Sequence, residues 1–455
     1  MNDHRLKPVV SDYGSSRSGQ PSADYLLRKA QTAEGVATSV GSVPTNPEPV
    51  SSLGATSLSL CLSQRTLVRL KAADLPIREG DFKILKFVSL AALAVSLLGS
   101  ASVYATQYSV TELPTSSGLA TPYVTGLNSV GQITGYAVNS TGNDVAFLYS
   151  NGIMQNLGTL GGSSSVAQGI NSAGQVVGYS NTSTGAQEAF LYGNGVMQDL
   201  GTTLGGTSST AYGINSTGQV VGYLDTSTGK TEAFLYSSGA TQNLGSLGGT
   251  LSIAQGINST GQVVGYSTNS AGSYEAFLYS NGAMRGLGTL GGPQSVALDI
   301  NSTGQVVGYS NDSAGNWEAF LYSNGTMQGL GALGGTYSFA FGINSTGQVV
   351  GYSANSAGNA AAFLYSNGVM QDLNTLIGTS ASLYTLTNAT AINDLGQIAV
   401  NGTVNATGQS TAFLLTPITT SASAAVPAPA ALGLLGFSLL GLLLVQRRNV
   451  YPTAR

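Results

Sequence analysis

Four glutamates occupy the same position in four consecutive units of a repeated sequence: Glu188, Glu232, Glu275 and Glu318. Two carboxylates held at a suitable separation can hydrolyse a glycosidic bond, one as the acid and the other as the base or nucleophile. The chain has one histidine, His4, and one cysteine, Cys61, and neither lies in the repeats. Ser-His-Asp catalysis, Cys-His catalysis and His-ligated zinc are therefore excluded there, and no metal or cofactor is predicted.

The same glutamates have a plainer interpretation. Catalytic residues usually break a repeat, whereas these residues follow it, so we interpret them as solvated side chains at the starts of strands. Trp317 and Tyr274 each lie directly before the glutamate of their unit. An exposed aromatic ring can stack on a sugar, although scattered surface aromatics are also normal. The four glutamates and these two aromatic residues are candidate binding residues, and no residue is assigned a catalytic role.

The repeat that carries these residues is defined by two recurring steps. A Gly-Gln step places glutamine at seven positions: Gln132, Gln175, Gln219, Gln262, Gln305, Gln348 and Gln397. An Ala-Phe-Leu step places phenylalanine at seven more: Phe147, Phe190, Phe234, Phe277, Phe320, Phe363 and Phe413. Self-similarity at a period of about 43 residues indicates a repeat architecture.

Each unit contains four short runs of strand type, which we label A, B, C and D. In the clearest unit they are 295–300, 305–309, 318–322 and 327–333. A turn with Gly304, where a positive φ is expected, joins A to B, and Asn324-Gly325 predicts a tight hairpin between C and D. Because no segment has an apolar period of 3.6, the unit is predicted to be a four-stranded antiparallel propeller blade.

The number of runs distinguishes a closed ring from an open stack. Runs A, B and C occur seven times, but the last unit ends near Thr416 without a D run. The missing run precedes the first unit, where Tyr108–Pro114 has the D pattern. The sequence therefore predicts an all-β, seven-bladed β-propeller, closed by the N-terminal strand completing the last blade. The alternative is an open β-repeat array, which would need distinct polar capping units.

The regions outside the repeats have different compositions. Residues 1–82 hold most of the Lys and Arg and show no periodicity, so we interpret them as disordered or as an extension upstream of the true start. Residues 83–105 have the basic start, apolar run and small-residue end of a signal peptide, with cleavage after Ala105. Either translation begins near Lys83 or this segment is an internal anchor. The propeller is predicted over 106–416, followed by a Ser/Thr/Ala/Pro linker over 417–429 and a tail over 430–455.

Charge and hydropathy restrict the partners. Between Thr106 and Val426 there are twelve acidic and two basic residues, and without a basic patch nucleic acid is excluded as a partner. Residues 430–445 are apolar and precede Arg447 and Arg448. As a helix this run would span about 24 Å, short of the roughly 30 Å hydrocarbon core of a bilayer. A short apolar helix with a basic stop is typical of a sorting tail.

The units resemble the extracellular HAF repeat, which is named for a His-Ala-Phe step. That step here reads Glu-Ala-Phe in four units, and Val-Ala-Phe, Ala-Ala-Phe or Thr-Ala-Phe in the others. The flanking Leu-Gly-x-Leu-Gly-Gly and Gly-Ile-Asn-x-x-Gly-Gln-Val-Val-Gly segments match well. The resemblance covers Tyr108 to about Thr416 and implies no enzymatic activity.

The tail resembles the PEP-CTERM sorting signal of Gram-negative bacteria. Its motif here is Val426-Pro427-Ala428-Pro429, with alanine in place of the usual glutamate, followed by the apolar run and the Arg pair. The resemblance implies a sorting protease of the exosortase type and transient or permanent anchoring in the inner membrane. It also implies residence in the cell envelope or an exopolysaccharide (biofilm) matrix.

Together these features predict an exported, non-enzymatic binding or structural propeller whose partner is an extracellular polysaccharide. The alternative is a carboxylate-dependent glycoside hydrolase or lyase that uses the repeated glutamates.

Overall fold

The computed structural model describes residues 107–115 and 118–418, and this part of the chain is built almost entirely of strands. Its other regular elements are a one-turn helix, Gly201–Leu204, and two 3₁₀ segments, Leu373–Thr375 and Gly378–Ser382. The predicted all-β class with four-stranded antiparallel blades is confirmed.

The strands form antiparallel sets of four, numbered here as blades in chain order. Blade 1 contains β2 (Leu119–Leu127), β3 (Ile133–Asn139), β4 (Asp144–Ser150) and β5 (Ile153–Gly158). Blade 2 contains β6 (Gly161–Ile170), β7 (Val176–Thr182), β8 (Gln187–Gly193) and β9 (Val196–Asp199). Blade 3 contains β10 (Ser208–Ile214), β11 (Val220–Asp225), β12 (Thr231–Ser237) and β13 (Ala240–Asn243). Blade 4 contains β14 (Gly248–Ile257), β15 (Val263–Asn269), β16 (Tyr274–Ser280) and β17 (Ala283–Gly286).

The remaining strands follow the same order. Blade 5 contains β18 (Gly291–Ile300), β19 (Val306–Asp312), β20 (Trp317–Ser323) and β21 (Thr326–Gly329). Blade 6 contains β22 (Gly334–Ile343), β23 (Val349–Asn355), β24 (Ala360–Ser366) and β25 (Val369–Asp372). Blade 7 contains β26 (Tyr384–Ile392), β27 (Ile398–Val404), β28 (Ser410–Pro417) and β1 (Tyr108–Glu112). A single parallel pair, Thr231 with Leu251, joins blades 3 and 4 into one eight-stranded sheet.

Blade 7 is assembled from both ends of the described chain. Strand β1 pairs antiparallel with β28, with Tyr108 opposite Pro417 and Glu112 opposite Phe413. Consecutive A strands contact one another around the molecule, and β2 of blade 1 also contacts β26 of blade 7. The predicted closure by the N-terminal strand is therefore confirmed.

The core lies between adjacent blades. The phenylalanine of each Ala-Phe-Leu step is fully buried, and Phe320 packs with Val264 and Leu278 of the preceding blade. Burial of such a side chain contributes roughly 2–3 kcal/mol. Within a blade, Gly308 on the B strand approaches the A strand so closely that a Cβ would lie 2.0 Å from the Val296 carbonyl oxygen.

Two turn predictions are confirmed, and three strand boundaries were wrong. In this unit the A strand begins at Gly291 rather than at 295, the B strand continues to Asp312 rather than ending at 309, and the D strand ends early. Asn324 and Gly325 have φ of 52° and 83°, as a type I′ hairpin requires, and Gly304 has φ of 82°. The D run was predicted to continue to Leu333, but β21 ends at Gly329. Since Gly331 has φ of 77°, the chain turns out of the sheet there.

Asparagines in the A–B turns form a closed cycle. The side-chain oxygen of Asn301 accepts hydrogen bonds from the backbone N–H groups of Thr303 (3.1 Å) and Gln305 (3.0 Å). Its Nδ2 donates to Gln305 Oε1 (2.8 Å) and to the backbone carbonyl of Asn344 in the next blade (3.0 Å). The equivalent donors to the next blade are Asn128, Asn171, Asn215, Asn258, Asn344 and Asn393, and Asn393 donates to the carbonyl of Asn128.

The antiparallel order gives the molecule two distinct ends. The A–B and C–D turns lie at one end, which we call the asparagine face. The B–C turns and the D–A connections lie at the other end, which we call the loop face.

Candidate functional site

Each of the four repeated glutamates is the second residue of the C strand of its blade, in blades 2, 3, 4 and 5. The hydroxyl of Ser209 donates to Glu188 (2.7 Å), and Asn243 Nδ2 donates to Glu232 (2.5 Å). Burial raises the pKa of Glu188; the Ser209 hydrogen bond opposes this and nearby Asp199 adds to it.

The other two glutamates are held in the same local way. The backbone N–H of Gly288 and Nδ2 of Asn269 both donate to Glu275 at 3.3 Å. The backbone N–H of Gly331 donates to Glu318 at 2.8 Å. Each glutamate thus ties the start of its C strand to a neighbouring segment, and the described hydrogen bonds join no two of them. Within residues 107–115 and 118–418 no group of three or more acidic, His or Cys side chains is placed to hold a metal.

Both predicted aromatic residues are partly buried at the loop face. The Tyr274 ring contacts Tyr266 edge-on, with centroids 5.5 Å apart, and Trp317 contacts Tyr309 edge-on at 5.2 Å. The structure therefore packs each ring against the B strand of its own blade. Trp317, unlike Tyr274, belongs to a larger aromatic cluster.

That cluster fills the seam between blades 5 and 6. Tyr309 contacts Phe339 at 4.8 Å across the seam, and Phe339 stacks on Tyr352 at 5.0 Å. Tyr337 extends the cluster towards the loop face, with its ring 5.9 Å from Phe339. Aromatic pairs at these separations contribute about 0.5–1.5 kcal/mol each beyond their buried area. The partly exposed Trp317 and Tyr337 thus pack against the buried rings of Tyr309 and Phe339.

The next seam, between blades 6 and 7, holds an open cleft instead. Its volume is about 560 Å³, within the range of small-molecule sites. Amide, carboxylate and hydroxyl side chains line it together with one aromatic ring: Asn355, Asn359, Asp372, Asn374, Thr385, Thr387 and Tyr384, with Ala360, Ala361 and Ala381. Its lining comes from the B–C turn of blade 6 and the start of β26, so it lies at the loop face.

Two departures from the repeat open this cleft. Ala360 and Ala361 begin β24 at the positions that Trp317 and Glu318 occupy in β20. The large side chains that fill the preceding seam are therefore missing here. The D–A connection that follows is also longer, and its 3₁₀ segments carry Asn374 and Ala381 into the cleft wall.

The polar walls of the cleft are held in place by their own hydrogen bonds. Asn374 donates to Asp372 (2.8 Å) and to the Leu386 carbonyl (3.0 Å), and accepts from the Leu386 N–H (2.8 Å). The backbone N–H of Asn359 donates to Asn355 Oδ1 (3.0 Å). The cleft thus has a pre-formed polar lining, which reduces the entropy lost when a ligand binds.

Sequence reasoning missed both the cleft and the cluster. The signal was present in the alignment of the units with one another. Blade 6 has Tyr337, Phe339 and Phe341 where blade 2 has Ser164, Val166 and Gln168, and it has Ala360 where blade 5 has tryptophan. The cleft and the aromatic cluster are thus formed by residues that differ from the repeat, and not by the glutamates that conform to it.

One acidic residue breaks the repeat at the inner strands. Asp299 replaces the glycine of blades 1–4 and 6, and its carboxylate accepts backbone N–H bonds from Ile300 (2.8 Å) and from Ile343 of blade 6 (3.0 Å). Burial raises the pKa of Asp299 above its usual value, against the opposing effect of these two hydrogen bonds.

Asp299 is expected to make stability depend on pH. Because its pKa is raised on folding, its contribution is present below the unfolded-state pKa of about 3.9 and is lost as pH rises through the folded-state pKa. Denaturant titrations of the wild type and Asp299→Gly at about pH 3 and about pH 7 measure this difference. The variant should gain stability relative to the wild type at the higher pH. If the difference in stability between the wild type and Asp299→Gly is the same at both pH values, the pKa of Asp299 is not raised on folding.

Several predicted features lie outside the described residues. These are the signal cleavage site at Ala105 and the sorting residues Val426, Pro427, Pro429, Arg447 and Arg448, which stay predictions. In the part of the chain that the structure describes, no helix has the length and apolar character needed to cross a membrane.

Comparisons with known proteins give only distant structural likenesses. No protein-family model matches the chain. No curated protein sequence matches it either. Among solved structures, a puromycin-hydrolyzing peptidase of Mycobacterium tuberculosis is similar with a TM-score of 0.44 and 12% identity, over 66% of this chain and 51% of the peptidase. This chain therefore spans about half the length of that enzyme.

Two other similar structures are matched over most of their length. YCF48 bound to D1 peptide is similar with a TM-score of 0.43 and 12% identity, over 69% of this chain and 98% of that one. The lectin of Aleuria aurantia, in complex with Fucalpha1-6GlcNAc, has a TM-score of 0.35 and 13% identity, over 55% of this chain and 94% of the lectin.

Proposed function

We propose that this protein is an exported, non-enzymatic binding module of the cell surface or extracellular matrix, and that it binds polysaccharide through the loop face of blades 5–7. The observation that carries this proposal is the polar cleft between blades 6 and 7, next to the aromatic seam of blades 5 and 6. Export and residence in the matrix rest on the segments at 83–105 and 430–455.

The chemistry of the cleft suits a sugar. Asn355, Asn359 and Asp372 line the cleft with amide and carboxylate groups, the donor and acceptor types that match the hydroxyls of a pyranose ring, while Asn374 holds the wall. Tyr384 adds an aromatic ring to the lining of the cleft, and Trp317 and Tyr337 supply further rings one seam away. The flat face of an aromatic ring is apolar and can be covered by a sugar ring, while the O–H of tyrosine or the N–H of tryptophan stays hydrated. A polymer lying across these seams would meet both kinds of surface.

The hydrolase alternative is less well supported by the geometry. A retaining glycosidase holds its two carboxyl groups about 5–5.5 Å apart, and an inverting one about 6.5–9.5 Å apart. Here Glu188, Glu232, Glu275 and Glu318 belong to four different blades, and each is hydrogen-bonded to its own local partner. Asp372, the acidic residue in the cleft, caps a 3₁₀ segment through Asn374.

Filling the cleft is expected to abolish binding without unfolding the protein. Ala360→Trp places in β24 the residue that β20 carries naturally, so the blade has a precedent for it. Co-sedimentation with the exopolysaccharide of the producing cells should fall to background for Ala360→Trp, and should fall in part for Trp317→Ala. Val130→Ser, at the opposite face, should bind as the wild type does.

The same samples test the hydrolase alternative through the appearance of new reducing ends. New ends that form with the wild type and disappear with Glu318→Gln would replace the binding proposal with hydrolysis. Undiminished co-sedimentation of a folded Ala360→Trp variant would move the binding site away from the cleft. If the wild type itself does not co-sediment, polysaccharide is the wrong class of partner.

A further inference from the structure

Large apolar side chains that are exposed to solvent are concentrated at one end of the molecule. Seven such residues are found in the described part of the chain, and six of them lie at the asparagine face: Val130, Ile153, Val196, Val369, Leu395 and Ile418. They occupy A–B turns, the first residues of D strands, or the end of β28. Val130, Leu395 and Ile153 are each at least 65% exposed.

These six residues also occupy one continuous arc of the ring. They belong to blades 6, 7, 1 and 2, which are consecutive because blade 7 adjoins blade 1. Blades 3, 4 and 5 carry threonine or alanine at the equivalent turn positions, for example Thr217, Ala283 and Thr303. The clustering is therefore confined to one side of the face, and we call it the apolar arc.

Charged side chains are concentrated at the opposite end of the molecule, the loop face. In the described turns of the apolar arc the charged side chain is Asp394, which accepts a hydrogen bond from the Ser345 N–H (2.8 Å). Most other acidic residues lie in B–C turns, at the starts of C strands or at the ends of D strands, towards the loop face: Asp144, Glu188, Asp199, Asp225, Glu232, Glu275, Asp312, Glu318 and Asp372. The loop face is thus acidic, whereas the apolar arc is nearly uncharged.

The chain leaves the propeller at the centre of this arc. Strand β28 ends at Pro417 on the asparagine face, where the Ile418 N–H donates to the Gln107 carbonyl (2.7 Å). Residues 419–429 then connect Ile418 to the uncharged apolar run 430–445. Eleven residues reach at most about 40 Å when fully extended, so the chain length limits the start of that run to within about 40 Å of Ile418.

From these observations we propose that the apolar arc is a docking surface for a phospholipid bilayer. When residues 430–445 insert, the asparagine face lies on the membrane and the loop face, with its cleft, points away from it. Val, Ile and Leu side chains can enter the interfacial region without carrying a charge into it. Anionic lipids repel the acidic loop face, which favours the same orientation.

The test uses the full chain bound to phosphatidylcholine–phosphatidylglycerol vesicles that contain a brominated lipid. In a Cys61→Ser background, which removes the one native cysteine, single substitutions Val130→Cys, Leu395→Cys, Thr303→Cys and Lys230→Cys carry a fluorescent probe. The probes at positions 130 and 395 should be quenched several-fold more than the probe at 230 on the loop face. The probe at 303, on the asparagine face but outside the arc, should be intermediate.

A second variant separates docking from simple tethering. Val130→Glu with Leu395→Glu should leave the chain on the vesicles, held by residues 430–445, but should remove the quenching of a probe introduced by Ile153→Cys. Equal quenching at 130, 303 and 230 on vesicle-bound protein would overturn the proposal, since the propeller would then tumble on a flexible tether. A chain that does not bind vesicles would overturn it too, and neither result bears on polysaccharide binding by the cleft.

Discussion

Asn301→Ala is expected to lower the free energy of unfolding by about 4 kcal/mol, from the loss of several hydrogen bonds worth about 1 kcal/mol each and the exposure of unpaired backbone groups. Asn301 is 5% exposed and makes five hydrogen bonds, two through Nδ2 and three through Oδ1. One of these is the link from blade 5 to Asn344 of blade 6. Removing the Asn301 side chain therefore weakens both the A–B turn of blade 5 and the contact between blades 5 and 6.

Urea denaturation of the purified chain, followed by tryptophan fluorescence of Trp317 and by circular dichroism, measures this loss. Asn316→Ala is the matched control, because Asn316 is exposed and its side chain makes one hydrogen bond, to Asp312 (3.2 Å). The control should change stability by less than about 0.5 kcal/mol. If the two variants unfold at the same urea concentration, the asparagine cycle does not stabilise the ring.

Gly308→Ala is expected to have an even larger effect, although it adds a single methyl group. That methyl would lie 2.0 Å from the Val296 carbonyl oxygen and 2.9 Å from the Ala297 Cα, both of which are backbone atoms. These atoms cannot rotate away as the end of a side chain can. The A and B strands would have to separate next to the irregularity in pairing between Ala297 and Asp299, with loss of ladder hydrogen bonds.

Soluble yield and the denaturation midpoint measure this effect, and the chain offers its own control. Gly193 ends β8 at a position where other blades carry serine, such as Ser323, and an added Cβ would make only ordinary contacts with Gln175. Gly193→Ala should therefore be neutral or slightly stabilising, because it reduces the entropy of the unfolded chain. A soluble Gly308→Ala protein with the wild-type midpoint would show that the strands can adapt.

Much of the fold was predictable because its determinants are local and repeated. The Asn324-Gly325 hairpin, the positive φ at Gly304 and the pairing of Tyr108–Glu112 with β28 all followed from the spacing of short motifs. The end of the D strand was misplaced, since the pattern of apolar residues continues to Leu333 while Gly331 turns the chain.

The candidate site was less accessible to sequence reasoning. Repetition shows that Asn301 recurs, but it does not show that Nδ2 reaches the carbonyl of Asn344 in another blade. The cleft arises from missing bulk at Ala360 and from a longer connection, and neither leaves a chemical motif. The glutamates are ionisable and periodic, as ligand-binding carboxylates can be, yet Glu318 accepts a hydrogen bond from the backbone N–H of Gly331 in the D–A connection of its own blade.

The composition of blade 7 has a consequence for the order of events during synthesis. Its outer strand, β1, is among the first residues of the propeller to be made, whereas its partner β28 is the last strand. The ring therefore cannot close until about three hundred residues have followed β1, and such non-local pairing is intrinsically slow. Blade 7 is thus the one blade that cannot be completed from a partly synthesised chain, because it needs both ends of the described region at once.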